Sequence, residues 1–167
     1  MRIDGGDMSL IKIVSGGQSG VDRGALDAAL AAGFGCGGWC SQDRGAEDGA
    51  IAERYPLTPL QGGGSRQRTL KNVQDSDGTA ILFHAALAGG SKTARDFCIH
   101  EKKPFVVLDA TQIVESRAIA AILRFIDEHE IQVLNVAGPR ASHWPQGYGF
   151  SLSVIGSVIA ATAGYSG

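Results

Sequence analysis

Short apolar runs and longer amphipathic stretches take turns along this chain. Leu10 to Val14 is rich in β-branched residues and is stopped by Ser15-Gly16-Gly17, which reads as a buried strand ended by a turn. From Gly20 to Ala32 the apolar positions Val21, Ala25, Leu26, Ala29 and Leu30 share one helical face, and Gly33 supplies the stop. A brief strand is predicted over Gly35 to Cys40. Residues 41–68 are long, polar and broken by Gly and Pro, with a small strand near Leu57. Regular structure resumes with a strand at Thr79 to Phe83, a helix at Ser91 to Lys102 and a strand at Phe105 to Leu108. Val114, Ala118, Ile119, Ile122, Leu123 and Ile126 then recur at helical spacing. Gln132 to Val136 is the next strand and Phe150 to Ala163 the last helix.

Near-continuous apolar strands alternating with amphipathic helices predict an α/β fold with both sheet faces covered. The expectation is a Rossmann-like three-layer α/β/α sandwich with a mostly parallel sheet of about five or six strands. Residues 1–9 are expected to be a flexible N-terminal segment and 10–167 a single ligand-binding domain.

Composition sharpens this. The 167 residues include 24 glycines, roughly twice the usual share of about 7%. They cluster between apolar runs, where backbone can approach a ligand closely. Fifteen basic against seventeen acidic residues give a formal charge of -2, which argues against sequence-independent nucleic-acid binding. Cys36, Cys40 and Cys98 form neither a disulfide framework nor a zinc set, and suit reduced thiols in a cytoplasmic protein. The opening MRIDGGDMS has no apolar run, so no secretory signal is expected. No stretch reaches the ~20 apolar residues of a membrane span.

Parallel sheets bind ligands beyond the carboxyl ends of their strands, and the unusual residues fall there. The segments are Ser15 to Arg23, Ser41 to Gly49, Gly89 to Thr93 and Ala137 to Arg140. The first suits an anion: its glycines expose N–H groups, the next helix adds a positive dipole end, and Ser19 adds a hydroxyl. Asp22 is placed to cap that helix or to hold Arg23. Gln18 and Val21 depart from GxGxxG, and no GxxxxGK[ST] is present. Gly89-Gly90-Ser91-Lys92-Thr93 opens a second helix with the same logic, and Arg44 and Arg140 are planar forks suited to carboxylate or phosphate. Asp75-Ser76-Asp77-Gly78 lacks the other ligands of a calcium loop. His84, His100, His129 and His143 have no zinc-like spacing. Trp39 and Trp144 read as packing residues that could cover a flat ring if they flank the cleft.

Several of these segments resemble a known family. Ser15 to Asp27, Gly37 to Cys40, Arg44 to Gly49 and Arg54 to Leu57 carry the likeness, with Arg68-Thr69, Asn72-Val73, Asp75 to Thr79 and Leu134 to Arg140. They resemble the putative molybdenum carrier family, which is similar to plant and algal molybdenum cofactor carrier proteins. The resemblance implies a Rossmann-like fold, a homo-oligomer (dimer or tetramer) and a pocket for molybdenum cofactor (molybdopterin), with a nucleotide as the other candidate ligand. Molybdoenzymes would be the recipients. By position, Gly16, Gly17, Gln18, Ser19 and Gly20 with Arg23 would hold one anionic group. Gly89, Gly90, Ser91 and Thr93 would hold another, with Gly138 alongside and Arg44 and Arg140 neutralising charge.

The wider superfamily includes lysine-decarboxylase-like phosphoribohydrolases, whose PGGxGTxxE pattern can be laid over Gly89 to Asp96. Here Lys92 replaces a glycine and Asp96 the glutamate, which retracts the acid/base group by about one methylene. The expectation is therefore a carrier or storage protein. A nucleoside 5'-monophosphate phosphoribohydrolase-like enzyme and a nucleotide-sensing protein are the alternatives.

Overall fold

The computed structural model describes residues 9–163; residues 1–8, within the expected N-terminal segment, lie outside it. The main sheet has five strands: β1 (Lys12–Val14), β2 (Gly35–Gly37), β7 (Gly78–Phe83), β8 (Phe105–Asp109) and β9 (Val133–Ala137). Their order is β2-β1-β9-β7-β8 and every pairing is parallel. Five helices accompany them: α1 (Val21–Ala31), α2 (Ser65–Gln74), α3 (Gly89–His100), α4 (Glu115–His129) and α5 (Gly147–Ala163). The Rossmann-like α/β expectation holds.

One face of the sheet supplies most of the apolar core. Ile13, Ala80, Leu82, Leu134 and Val136 join Val21 and Ala25 of α1, Ala118 and Ile122 of α4, and Val154, Ile155 and Val158 of α5. Their alternate neighbours look the other way, towards α2 and α3, and several are polar. Thr79 and Asn135 are both buried and share a hydrogen bond of 3.2 Å between Asn135 Nδ2 and Thr79 Oγ1. The second face is apolar too at Val14 and Ile81, but it carries this buried polar pair on the side that continues into a cleft.

Topology decides where that cleft opens. The chain leaves β1 for β2 in one direction and β7 for β8 in the other, and its last strand, β9, is inserted between β1 and β7. The carboxyl ends of β1, β9 and β7 thus lie side by side, the place where the connections diverge and a crevice forms.

Two local departures from the sequence pattern matter. The stretch expected to be one strand, Gly35 to Cys40, divides at Gly38. Its φ is +129° and the Ser15 backbone sits where a Cβ would project. After that turn β3 (Trp39–Cys40) leaves the main sheet and pairs with β6 (Thr58–Pro59). The polar region also contains a hairpin of β4 (Gly45–Ala46) and β5 (Gly49–Ala50), and its end forms the first turn of α2. A second cluster of Leu26, Cys40, Ile51, Tyr55 and Leu57 anchors this excursion to α1.

Candidate functional site

Beyond β1, β9 and β7 lies a cleft of about 360 Å³, within the size range of small-molecule sites. Five segments build it. Gly16, Gln18 and Asp22 come from the turn into α1, and His84, Ala86 and Ala88 from the turn after β7. Gly89, Gly90 and Ser91 open α3, and the end of β9 with the loop after it supplies Asn135 to Arg140, His143 and Trp144. The fifth is one face of α2, formed by Ser65, Arg68, Thr69 and Asn72. Their spacing of three, four and seven is that of a single helical stripe.

The start of α3 is built to receive an anion. Lys92 is the first residue whose N–H donates back, to the Ala88 carbonyl at 3.4 Å. Gly89, Gly90 and Ser91 therefore present amides without an i−4 acceptor, together with the positive end of the helix dipole. Ser91 is 2% exposed, and its hydroxyl has no hydrogen-bond partner among the described residues. A buried polar group left so is costly unless a ligand completes it.

The start of α1 is different, because it already holds a carboxylate. Asp22 is buried; its Oδ2 accepts from the Gln18 N–H at 3.3 Å and lies 3.6 Å from Arg68 Nη1. Burial pushes this carboxyl above its usual range, against the pull of Arg68 and of the Gln18 and Gly138 amides. The Arg68 guanidinium lies against Gly16, where a Cβ would collide with it. Glycine at 16 is thus required by close approach: it makes room for the cleft's least exposed cation.

The expected site residues divide into two groups. Gly16, Gln18, Gly89, Gly90, Ser91, Gly138 and Arg140 line the cleft. Gly17, Ser19, Gly20, Arg23, Arg44 and Thr93 are not among its lining residues. Arg44 is spent on structure: Nη1 donates to the Leu57 carbonyl at 3.0 Å and Nη2 to Ala52 at 3.0 Å and Tyr55 at 3.3 Å. Arg23 donates to the Gly17 carbonyl and forms a two-pronged pair with Asp48. Thr93 Oγ1 donates to Gly89 O. Trp144 lines the cleft, with the His84 ring 5.7 Å away, whereas Trp39 Nε1 donates to Asp75 elsewhere. Asp96 is exposed, paired with Arg95 at 3.1 Å, and absent from the cleft lining.

Sequence reasoning passed over α2. Its ten residues hold few apolar side chains, so no amphipathic stripe marked it. The reason is that its inward face looks onto a polar cleft instead of the core. The one available signal was a run of good helix formers, Arg66 to Lys71, with Arg68, Thr69 and Asn72 at helical spacing.

The β4–β5 hairpin is clipped over the cleft's edge by Glu47. Its carboxylate accepts from Ser19 Oγ at 2.6 Å, Ser142 N–H at 3.0 Å and Ser142 Oγ at 2.6 Å. The Ser142 hydroxyl, then that of Ser19, holds its pKa down to about 2 from 4.5. A depressed acid stabilises above its unfolded value and loses that contribution as pH falls through the folded one. Protection factors of the amides across 45–50 are therefore expected to hold from neutral pH down to about 4.5 and to fall towards about 2. Protection unchanged over that window, with the sheet intact, would show that the clip does not hold the hairpin.

The model of the circularly permutated YpsA SLOG family matches residues 13–159. The chain belongs to this family. The match runs from β1 into α5 and so takes in every segment that lines the cleft. Among solved structures, this member is similar to a putative molybdenum carrier protein from Syntrophus aciditrophicus SB. The two are 40% identical, with a TM-score of 0.88 over 90% of this chain and 96% of that one. No curated protein matches the chain. Among the described residues no helix is long and apolar enough to cross a membrane, and no cluster of three or more His, Cys, Asp or Glu could hold a metal ion.

Proposed function

We propose that this SLOG-family chain binds a small, phosphate-bearing anion in the cleft and serves as a molybdenum cofactor carrier or storage protein. The observation that carries this reading is the buried, partnerless Ser91 hydroxyl at the open start of α3, in a cleft that also presents Arg68 and Arg140. Gly89, Gly90 and Ser91 would hold the phosphate from one wall of the cleft and Arg68 from the other. Arg140, exposed at the mouth, would neutralise charge on the rest of the ligand. Ala86, Ala88, Pro139 and Trp144 offer apolar surface to a flat ring. In this reading the protein is a cytoplasmic homo-oligomer and molybdoenzymes are the recipients. The name of its relative, a putative molybdenum carrier protein, supports a ligand that bears molybdenum.

The hydrolase alternative requires an acid/base group over the anion. Asp96, its candidate, pairs with Arg95 outside the cleft lining, which favours holding over cleaving.

Thermal shifts with molybdenum cofactor, molybdate, AMP and ADP-ribose, run beside an assay for released base, test the proposal. A ligand at about 100 times its dissociation constant stabilises the folded state by roughly 2.7 kcal/mol. The expected result is stabilisation by the cofactor, no base released from AMP, and full binding by Asp96→Asn. Adenine liberated from AMP, and lost in Asp96→Asn, would overturn it.

A further inference from the structure

The two glycine turns of the cleft differ in one physical respect. At α3, among the described residues, no carboxylate accepts from the amides that open the helix. At α1 it has Asp22, 3% exposed and lining the same cleft. Asp22 Oδ2 shares Arg68 Nη1 with the cleft at 3.6 Å. An incoming anion that lands on Arg68 therefore meets a guanidinium already facing a carboxylate.

Two negative charges against one half-buried guanidinium repel in a low-dielectric site. A single proton between them removes the conflict. If the ligand brings it, its O–H donates to Asp22 Oδ2, and a like-charge clash becomes a charge-assisted hydrogen bond. No bond breaks and the proton stays on the ligand. We propose that Asp22 makes this cleft selective for oxyanions that carry a proton, a hydrogen phosphate or the monoanion of a phosphate monoester, over fully ionised ones such as sulfate. The inference rests on the anion-binding reading of the cleft and adds to it which anions are taken.

Other charged groups around Asp22 do not produce this selectivity. Arg68 of α2 faces it directly, and Arg23 on its own helix is turned to Gly17 O and Asp48. From the loops after β9 and β7 come Arg140, His143 and His84, and α3 contributes only Gly89, Gly90 and Ser91. These groups attract phosphate and sulfate alike, so their influence largely cancels in the ratio of the two affinities. The upward push of burial on the Asp22 carboxyl agrees with a site that favours a proton beside it.

The test is titration calorimetry of the full chain with inorganic phosphate and with sulfate, at matched ionic strength and slightly alkaline pH. Phosphate is expected to bind at least about tenfold more tightly, the worth of one hydrogen bond to a charged group. Asp22→Asn keeps an acceptor for the Gln18 and Gly138 amides and can donate to either anion, so its ratio should fall to about one. A second measurement needs no variant: on acidification, protonated Asp22 should let sulfate approach the affinity of phosphate. Equal affinities in the unaltered protein, or a ratio unchanged in Asp22→Asn, would overturn the selectivity and leave the anion site standing. If neither anion binds saturably while molybdenum cofactor also fails to, the anion-site reading falls and this inference with it.

Discussion

Gly16→Ala should weaken anion binding by about 10- to 100-fold, the loss of one or two charge-assisted hydrogen bonds at roughly 1.5–3 kcal/mol each. The new methyl group would occupy the space of the Arg68 guanidinium. Gly16 is not among the positive-φ glycines, and the atoms displaced are the far end of a flexible side chain, so the backbone has no reason to unfold. The arginine swings out and Asp22 loses its nearest cation. That loss has a definite pH signature. Asp22 has a folded pKa above its unfolded one, so the folded state gains stability as pH falls through the folded value and loses it above. Without Arg68 beside it the shift grows. Melting temperatures of Gly16→Ala should therefore drop further below those of the unaltered protein at alkaline than at acid pH. Arg68→Met should reproduce both effects. Calorimetry with inorganic phosphate checks the affinity, and binding of undiminished strength in Gly16→Ala would remove Arg68 from the site.

The second large effect concerns the scaffold beneath the cleft. Leu134→Ala is expected to cost about 3–4 kcal/mol, the usual range for a fully enclosed leucine whose cavity cannot collapse. Leu134 has no exposed surface and sits on β9 between β1 and β7, paired with Ile13 on one side and Gly78 on the other. Strands on both sides prevent relaxation. At roughly 2–4 °C per kcal/mol for a chain of this size, the melting temperature should fall by about 10 °C. Val107→Ala, on the edge strand and 40% exposed, should change stability by no more than about 0.5 kcal/mol. Phosphate affinity of the folded Leu134→Ala protein should remain near that of the unaltered chain, because the residue does not line the cleft. A drop of less than about 1 kcal/mol in denaturant unfolding would mean that the core repacks around β9.

The strands and most helices were legible because their positions are set by burial, which leaves an apolar period in the sequence. Lys12–Val14, Gly78–Phe83, Phe105–Asp109, Val133–Ala137 and the helices that cover them fall within a few residues of where the pattern puts them. That these strands form one parallel sheet, with glycine turns at their carboxyl ends, follows from the same pattern. The resemblance in Ser15 to Asp27 and Leu134 to Arg140 pointed to the carrier likeness seen in the solved relative.

What only the tertiary structure decided is which polar side chains meet. A polar residue leaves no period, because its partner is chosen by contacts across the chain. Arg44 and Arg68 look alike in sequence, yet one is consumed by the carbonyls of Ile51, Ala52, Tyr55 and Leu57 and the other lies across Gly16. The Ser15–Gly20 and Gly89–Ser91 turns look equally suited to an anion, yet Asp22 folds back onto the first, and among the described residues no carboxylate does so at the second. Helix α2 escaped notice for the same reason: its inward stripe of Ser65, Arg68, Thr69 and Asn72 faces a cleft. Hydrophobic burial is nearly additive along the chain and can be read from it. Charge pairing and hydrogen bonding depend on three-dimensional neighbours, and here they decide which turn is open to a ligand.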